Sequence, residues 1–214
     1  HDIEQTLAQL RGSRTIQHIN ILVSETAEAS DCVFEDCGVI AIDRITSSQT
    51  MLSVAERAEA DYVMLCIKPQ PVNIGQSALE RVLRVACDAN AALMYSDHYT
   101  IENGVRCQHP VIDYQAGSLR DDFDFGALLL VKTELLKKYA ASVGNRLYQY
   151  AGLYDLRLFL SREGAVFHLN EYTYTIEETD LRASGEKQFD YVNPANREVQ
   201  IEMEHAVTAH LDAI

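Results

Sequence analysis

The run Asp61-Tyr-Val-Met-Leu-Cys-Ile67, closed by Lys68-Pro69, constrains most strongly what this chain can fold into. A near-continuous apolar segment of strand length fits a β-strand buried on both faces, the situation of a strand inside a parallel sheet. On either side of it helical and strand patterns alternate. Ile3, Leu7 and Leu10 fall at helical spacing and Gly12 with Ser13 stops them, after which the apolar stretch Ile16 to Val23 predicts a strand. A polar loop from Ser24 to Asp36 leads to a short strand, Val39 to Ile42. Ser47 or Ser48 then caps a helix containing Met51, Leu52, Val54 and Ala55. Beyond Pro69, Leu79, Val82, Leu83 and Ala86 share one helical face, and Ala91 to Tyr95 reads as the next strand, ending at Ser96-Asp97. Repeated β-α-β alternation predicts right-handed crossovers, a mostly parallel central sheet and a ligand edge at the carboxyl ends of the strands. That edge would carry Ser24, Lys68 and Asp97.

The second half continues in mixed fashion. Val105 to Tyr114 reads as an extended piece interrupted by Pro110, and Phe125 to Val131 as a core strand leading into a helix over Glu134 to Ala141. A helix from about Ala151 to Ser161 closes at Gly164, followed by a strand over Ala165 to Tyr174. Residues 177–194 form a polar excursion before a helical pattern from Arg197 to Leu211. The chain opens in a helix with no strand before it and stops just after another helical pattern. This predicts a piece of a longer protein, with residues 1–176 as an α/β domain and 177–214 as an excursion and helix leading towards a further domain.

Within this pattern the stretch Asp113 to Gly126 needs its own explanation, because four aspartates and Arg120 lie directly before the apolar run Ala127 to Val131. A carboxylate removed from water costs several kcal/mol unless it is paired, hydrogen-bonded or metal-bound. Asp121, Asp122 and Asp124 must therefore face solvent, meet cations such as Arg120, or serve a ligand. Local pairing with Arg120 and backbone capping compete here with metal or acceptor binding.

A formal charge of −14 repels phosphate backbones, and no basic stripe with interleaved aromatics reverses that field, which argues against nucleic-acid binding. No apolar run approaches the roughly 20 residues of a membrane helix, and the acidic N-terminus lacks the pattern of a secretory signal. The expected location is the cytoplasm or the cytoplasmic face of a membrane. Five cysteines without paired CxxC spacing read mostly as reduced core thiols, Cys66 and Cys87 among them; only Cys32 and Cys37 lie close together in a polar segment. Asp97-His98 lacks the spacer of a DxH metal motif, and Glu202 with His205 reads as a solvated helix face.

The order of elements up to Tyr95-Ser-Asp97, with the Ala60-Asp-Tyr-Val-Met-Leu65 strand at its centre, resembles the GT-A domain of family 2 glycosyltransferases over roughly residues 3 to 175. The segment Tyr148-Gln-Tyr-Ala-Gly-Leu-Tyr-Asp-Leu-Arg157 is similar to that family's later helix, and Asp113 to Gly126 resembles a bacterial tandem-domain subgroup. The resemblance implies a GT-A-like three-layer sandwich, of which the first strand is missing here. It also implies transfer of a sugar, with inversion, from a nucleotide sugar to a glycan acceptor, within a larger bacterial protein. Ser24, Glu25, Lys68 and Asp97 would bind the nucleotide sugar, with Arg120, Asp121, Asp122 and Asp124 on the acceptor side. Several motif positions differ from the family's pattern. Val23-Ser24-Glu25-Thr26 stands where an Asp-Asp-Gly-Ser type loop is expected, and Ile67-Lys68-Pro69 stands where an Asp-x-Asp motif would chelate Mn or Mg. A lysine there can supply part of the metal's charge as a point cation. The Glu-Asp positions that provide the general base align with Gly152-Leu153, leaving Asp155 as the candidate base. A noncatalytic module of the same fold, positioning acceptor or a neighbouring catalytic domain, is the alternative these departures raise.

Overall fold

The computed structural model describes residues 3–24, 34, 36–177 and 197–214. It has six helices and eight strands among these residues, in the order α1 (Ile3–Gly12), β1 (Asn20–Ser24), β2 (Gly38–Ile42), α2 (Ser48–Arg57), β3 (Tyr62–Cys66), β4 (Val72–Ile74), α3 (Ala78–Asp88), β5 (Leu93–Glu102), β6 (Val105–His109), β7 (Leu128–Lys132), α4 (Thr133–Val143), α5 (Gly152–Glu163), β8 (Val166–Glu177) and α6 (Arg197–Leu211). Local signals account for most boundaries. Ser47 caps α2 by accepting from the Thr50 amide at 3.2 Å. α2, α4 and α5 bury one face in a shared core with Leu65, Tyr95, Leu129 and Val131, while Val82, Leu83 and Val85 of α3 pack with Met94 and Leu130. Alternate strand residues thus feed two cores, and the architecture is α/β with helices on both faces of the sheet.

The sheet is not mostly parallel, which corrects the sequence expectation. β1 and β2 form a parallel pair of their own; the larger sheet runs β3-β7-β5-β8-β4, with β6 beside β5. Within it only β5 and β8 are parallel, and the β3-β7, β5-β7, β5-β6 and β4-β8 pairings are antiparallel. The cause lies between β5 and β7. The chain returns through the β5-β6 hairpin and the segment 110–127 instead of a crossover helix, so β7 enters against the direction of its neighbours. Consequently β3 is an end strand of this sheet and of its residues only Leu65 is buried, not the two-sided burial its composition suggests. Cys66 and Cys87 are exposed free thiols rather than core residues, each sitting at the end of its element. Cys32 lies outside the described residues.

α6 lies against α5, with Met203, Ala206 and Val207 packed on Tyr148, Ala151, Tyr154 and Leu158. Glu202 does not form part of a solvated face. Its carboxylate accepts the backbone N–H groups of Gln149 at 3.0 Å, Tyr150 at 2.6 Å and Ala151 at 3.1 Å, serving as an acceptor in trans for the start of α5. No helix among the described residues is long and apolar enough to cross a membrane.

Candidate functional site

The aspartate-rich run resolves by alternation. Phe123 and Phe125 turn into the core, where Tyr95 meets them edge-on at 6.0 and 4.9 Å between ring centroids. The intervening acids consequently face outward. Asp122 takes a bidentate pair of hydrogen bonds from Arg120 at 2.9 and 3.0 Å, both side chains well exposed, and Asp121 is exposed beside them. The Arg120 guanidinium holds the Asp122 carboxyl below the usual carboxylate range. Arg157 of α5, 6% exposed, donates to the carbonyls of Ser118 at 2.9 Å and Arg120 at 2.7 Å, and the Tyr154 hydroxyl donates to Leu119 O at 2.5 Å. These two side chains fasten the run to α5. Nothing in the sequence pairs Arg157 with a loop so far upstream.

Asp124 belongs to a different group. Its Oδ2 lies 2.9 Å from His109 Nε2, and its Oδ1 accepts from the Gly126 amide at 2.9 Å. Burial works against its charge, but those two bonds and the nearby Lys68 ammonium outweigh it and depress the pKa. His98 stacks between Tyr174, at 5.0 Å and 1° between planes, and His109, at 4.5 Å and 31°. It is 1% exposed, and neither ring nitrogen has a hydrogen-bond partner among the described residues. Burial, with the charges of His109 and Lys68, lowers its pKa to about 4. Gly126 sits against this stack at φ +78°. A Cβ there would stand 2.3 Å from the Tyr174 hydroxyl oxygen, so the position requires glycine on both counts. Half-buried Lys68, two residues beyond the end of β3, lies near enough to His98 and Asp124 for its charge to lower both pKa values.

The other candidates are placed separately. Ser24 ends β1 and is exposed, whereas Glu25 lies outside the described residues. Asp97 does not end its strand, because β5 runs on to Glu102. It is 1% exposed, and its Oδ1 accepts from Val111 N at 2.9 Å and lies 3.0 Å from His168 Nε2. Asp155 is 4% exposed in the first turn of α5 and bound by the Tyr139 hydroxyl at 3.1 Å; burial raises its pKa. Ahead of it, a Cβ on Gly152 would lie 2.1 Å from Ser48 N, so the position aligned with a family acid has no room for any side chain. No group of three or more His, Cys, Asp or Glu among the described residues is arranged to hold a metal ion. With Lys68 at the expected chelating position, the residues present do not fit a divalent cation there. A cavity of about 360 Å³ opens beside the starts of β1 and β2, lined by Gln17, His18, Asn20, Asp36, Arg57 and Glu59 among others, and none of the predicted site residues lines it.

The fold defines a mixed α/β domain in which His98, His109 and Asp124 form one contact group with the Lys68 charge nearby. No family model matches the sequence, and no curated protein matches it. Among solved structures it is similar to HddC from Yersinia pseudotuberculosis at 9% identity and a TM-score of 0.40, over 64% of this chain and 64% of that one. This chain therefore spans less than two thirds of that structure's length, and a likeness of this degree carries nothing about site or substrate.

Proposed function

We propose that this chain is a GT-A-like glycosyltransferase domain that takes a nucleotide sugar as donor and a glycan hydroxyl as acceptor, with Lys68 in place of a divalent cation. The observation that carries the reading is the Lys68 ammonium two residues beyond the end of β3, near enough to His98 and Asp124 for its charge to lower both pKa values, at the place where the resemblance puts the donor-site motif. In such a transfer the acceptor oxygen attacks the anomeric carbon while the bond to the diphosphate breaks. Lys68 meets the negative charge growing on the departing diphosphate, a point cation doing electrostatic work that carboxylate-bound metal does elsewhere. Calorimetric titration of uridine, guanosine and thymidine diphosphates in the presence of a chelator tests this. At least one should bind, and Lys68→Ala should weaken it by roughly tenfold or more, whereas an exposed Lys137→Ala control should not. Binding that appears only with manganese, or equal effects of the two substitutions, refutes the lysine role.

Two observations favour a second reading, a noncatalytic module of the same fold that positions acceptor or a neighbouring domain. Asp155 is buried under Tyr139, and Gly152 has no space for an acid. The same titration separates the two readings, since absence of binding by every diphosphate supports the noncatalytic module.

A further inference from the structure

Away from Lys68, a second polar group is built across β5 and β8. His168 lies opposite Tyr95 in the parallel pairing of these strands, and its ring stacks on the Tyr95 ring at 5.0 Å and 12°. Immediately beyond, the register jumps from Ser96↔Leu169 to Asp97↔Tyr172, so Asn170 and Glu171 fall out of the ladder. Such an irregularity re-aims side chains, and here Asp97 meets His168 instead of a residue directly across from it. Asp97 Oδ1 is fixed by Val111 N at 2.9 Å and lies 3.0 Å from His168 Nε2. On the opposite side of the ring, His168 Nδ1 lies 2.6 Å from Asp113 Oδ1. The three side chains differ sharply in exposure: 2% for Asp97, 5% for His168 and 88% for Asp113.

We propose that Asp97 and His168 form an acid–base dyad, with the Asp113 carboxylate as a displaceable cap at the position where a substrate hydroxyl binds. The role assigned to His168 rests on the glycosyl-transfer reading above; the build of the dyad does not. A buried carboxylate behind an imidazole fixes the ring's tautomer and orientation and stabilises the imidazolium that forms when the outer nitrogen takes a proton. Asp97 fills that positioning role, held in turn by the Val111 amide. Asp97 and Asp113 both accept from the ring, at Nε2 and at Nδ1, only while it carries both protons. When Asp113 swings into the solvent it already faces and the ring gives up one proton, Nδ1 presents a lone pair outward and Nε2–H stays on Asp97. An acceptor hydroxyl entering there loses its proton to Nδ1. The groups facing His168 are Asp97 and Tyr95 from β5 and Asp113 from the segment after β6; the Tyr95 hydroxyl is already committed to Ile112 O at 2.7 Å, leaving no competitor at Nδ1 besides Asp113 among these groups.

Diethyl pyrocarbonate labelling of the full chain, mapped by mass spectrometry, tests the dyad without knowledge of any substrate. Asp113→Ala removes an exposed side chain and should raise the labelling rate of His168 by roughly tenfold or more, while exposed His205 stays constant as the internal control. Adding Asp97→Ala should remove most of the gain, because the one oxygen that meets both the Val111 amide and His168 Nε2 is lost and nothing then holds the ring's proton on Nε2 or its orientation. An unchanged His168 rate in Asp113→Ala, or a gain equally large when Asp97→Ala is added, overturns the dyad. With a nucleotide sugar that turns over, His168→Gln should lower kcat about a hundredfold or more with diphosphate binding intact. Equal turnover overturns the dyad alone. A wild-type chain that binds no diphosphate overturns the glycosyl-transfer reading, and the labelling still decides the dyad.

Discussion

Acidification should destabilise this fold through His98 in a way that one substitution isolates. The ring is 1% exposed between Tyr174 and His109, with both nitrogens unpartnered among the described residues, so the fold favours its neutral form. Its pKa falls from the ordinary 6.5 to about 4 because burial and the nearby cations oppose a second proton. Between those values the unfolded chain binds the proton and the folded chain does not, so stability is lost as pH falls from 6.5 towards 4 and levels off below. Integrating that difference gives a loss of roughly 3 kcal/mol at pH 4, about half of it by pH 5.3. Asp124, Asp122 and Glu171, whose carboxyls are depressed, add their own acid losses, as hydrogen bonds from His109, Arg120 and Arg81 respectively hold them charged. His98→Phe removes the titration while keeping a flat ring in the stack. Urea unfolding from pH 7 to pH 4 on both proteins reads the difference. The variant should gain about 3 kcal/mol on the wild type across that range. Parallel stability curves would refute the reasoning, because they would mean that His98 is protonated in the fold or finds a partner there.

Other perturbations probe the packing around α5. Glu202→Ala leaves three backbone N–H groups before α5 without their carboxylate and should cost roughly 2 to 3 kcal/mol, read as a shift in the urea midpoint with earlier proteolysis within α6. Gly152→Ala should cost about 3 kcal/mol despite alanine's better helix propensity, because the Cβ meets the Ser47-Ser48 backbone and α2 must move; a neutral result in thermal unfolding would contradict that close approach. Asp155→Asn keeps an acceptor for the Tyr139 hydroxyl and removes a charge that burial disfavours, so the variant should melt above the wild type at pH 7. The folded-state pKa of Asp155 is raised, so ionisation weakens the wild type as pH rises. The variant's advantage should therefore shrink on acidification towards the carboxylate range.

The sequence by itself determined the succession of elements. Helical spacing in Leu79, Val82, Leu83 and Ala86, the Ser47 cap and the apolar strand runs are local signals, written within a few residues of where they act, and α1, β1, β2, α2, β3, α3, β7, α4, α5, β8 and α6 all fall where those signals lie. Alternation of Phe123 and Phe125 with Asp122 and Asp124 likewise contained the answer to the acidic run, though only the core they enter shows which residues face inward. Strand direction was decided by the tertiary structure, because the hairpin after β5 replaced the crossover that a mostly parallel sheet requires. So was Asp97's role: a Ser-Asp pair that reads as a strand end continues into β6 pairing and is buried mid-strand. The same holds for the two histidine groups. His168 meets Asp97 across 71 positions and Asp113 across 55, and His98 meets Tyr174 through the β5-β8 ladder. Local propensity carries no information over such separations; register and a displaced ladder do, and they exist only once the sheet has formed.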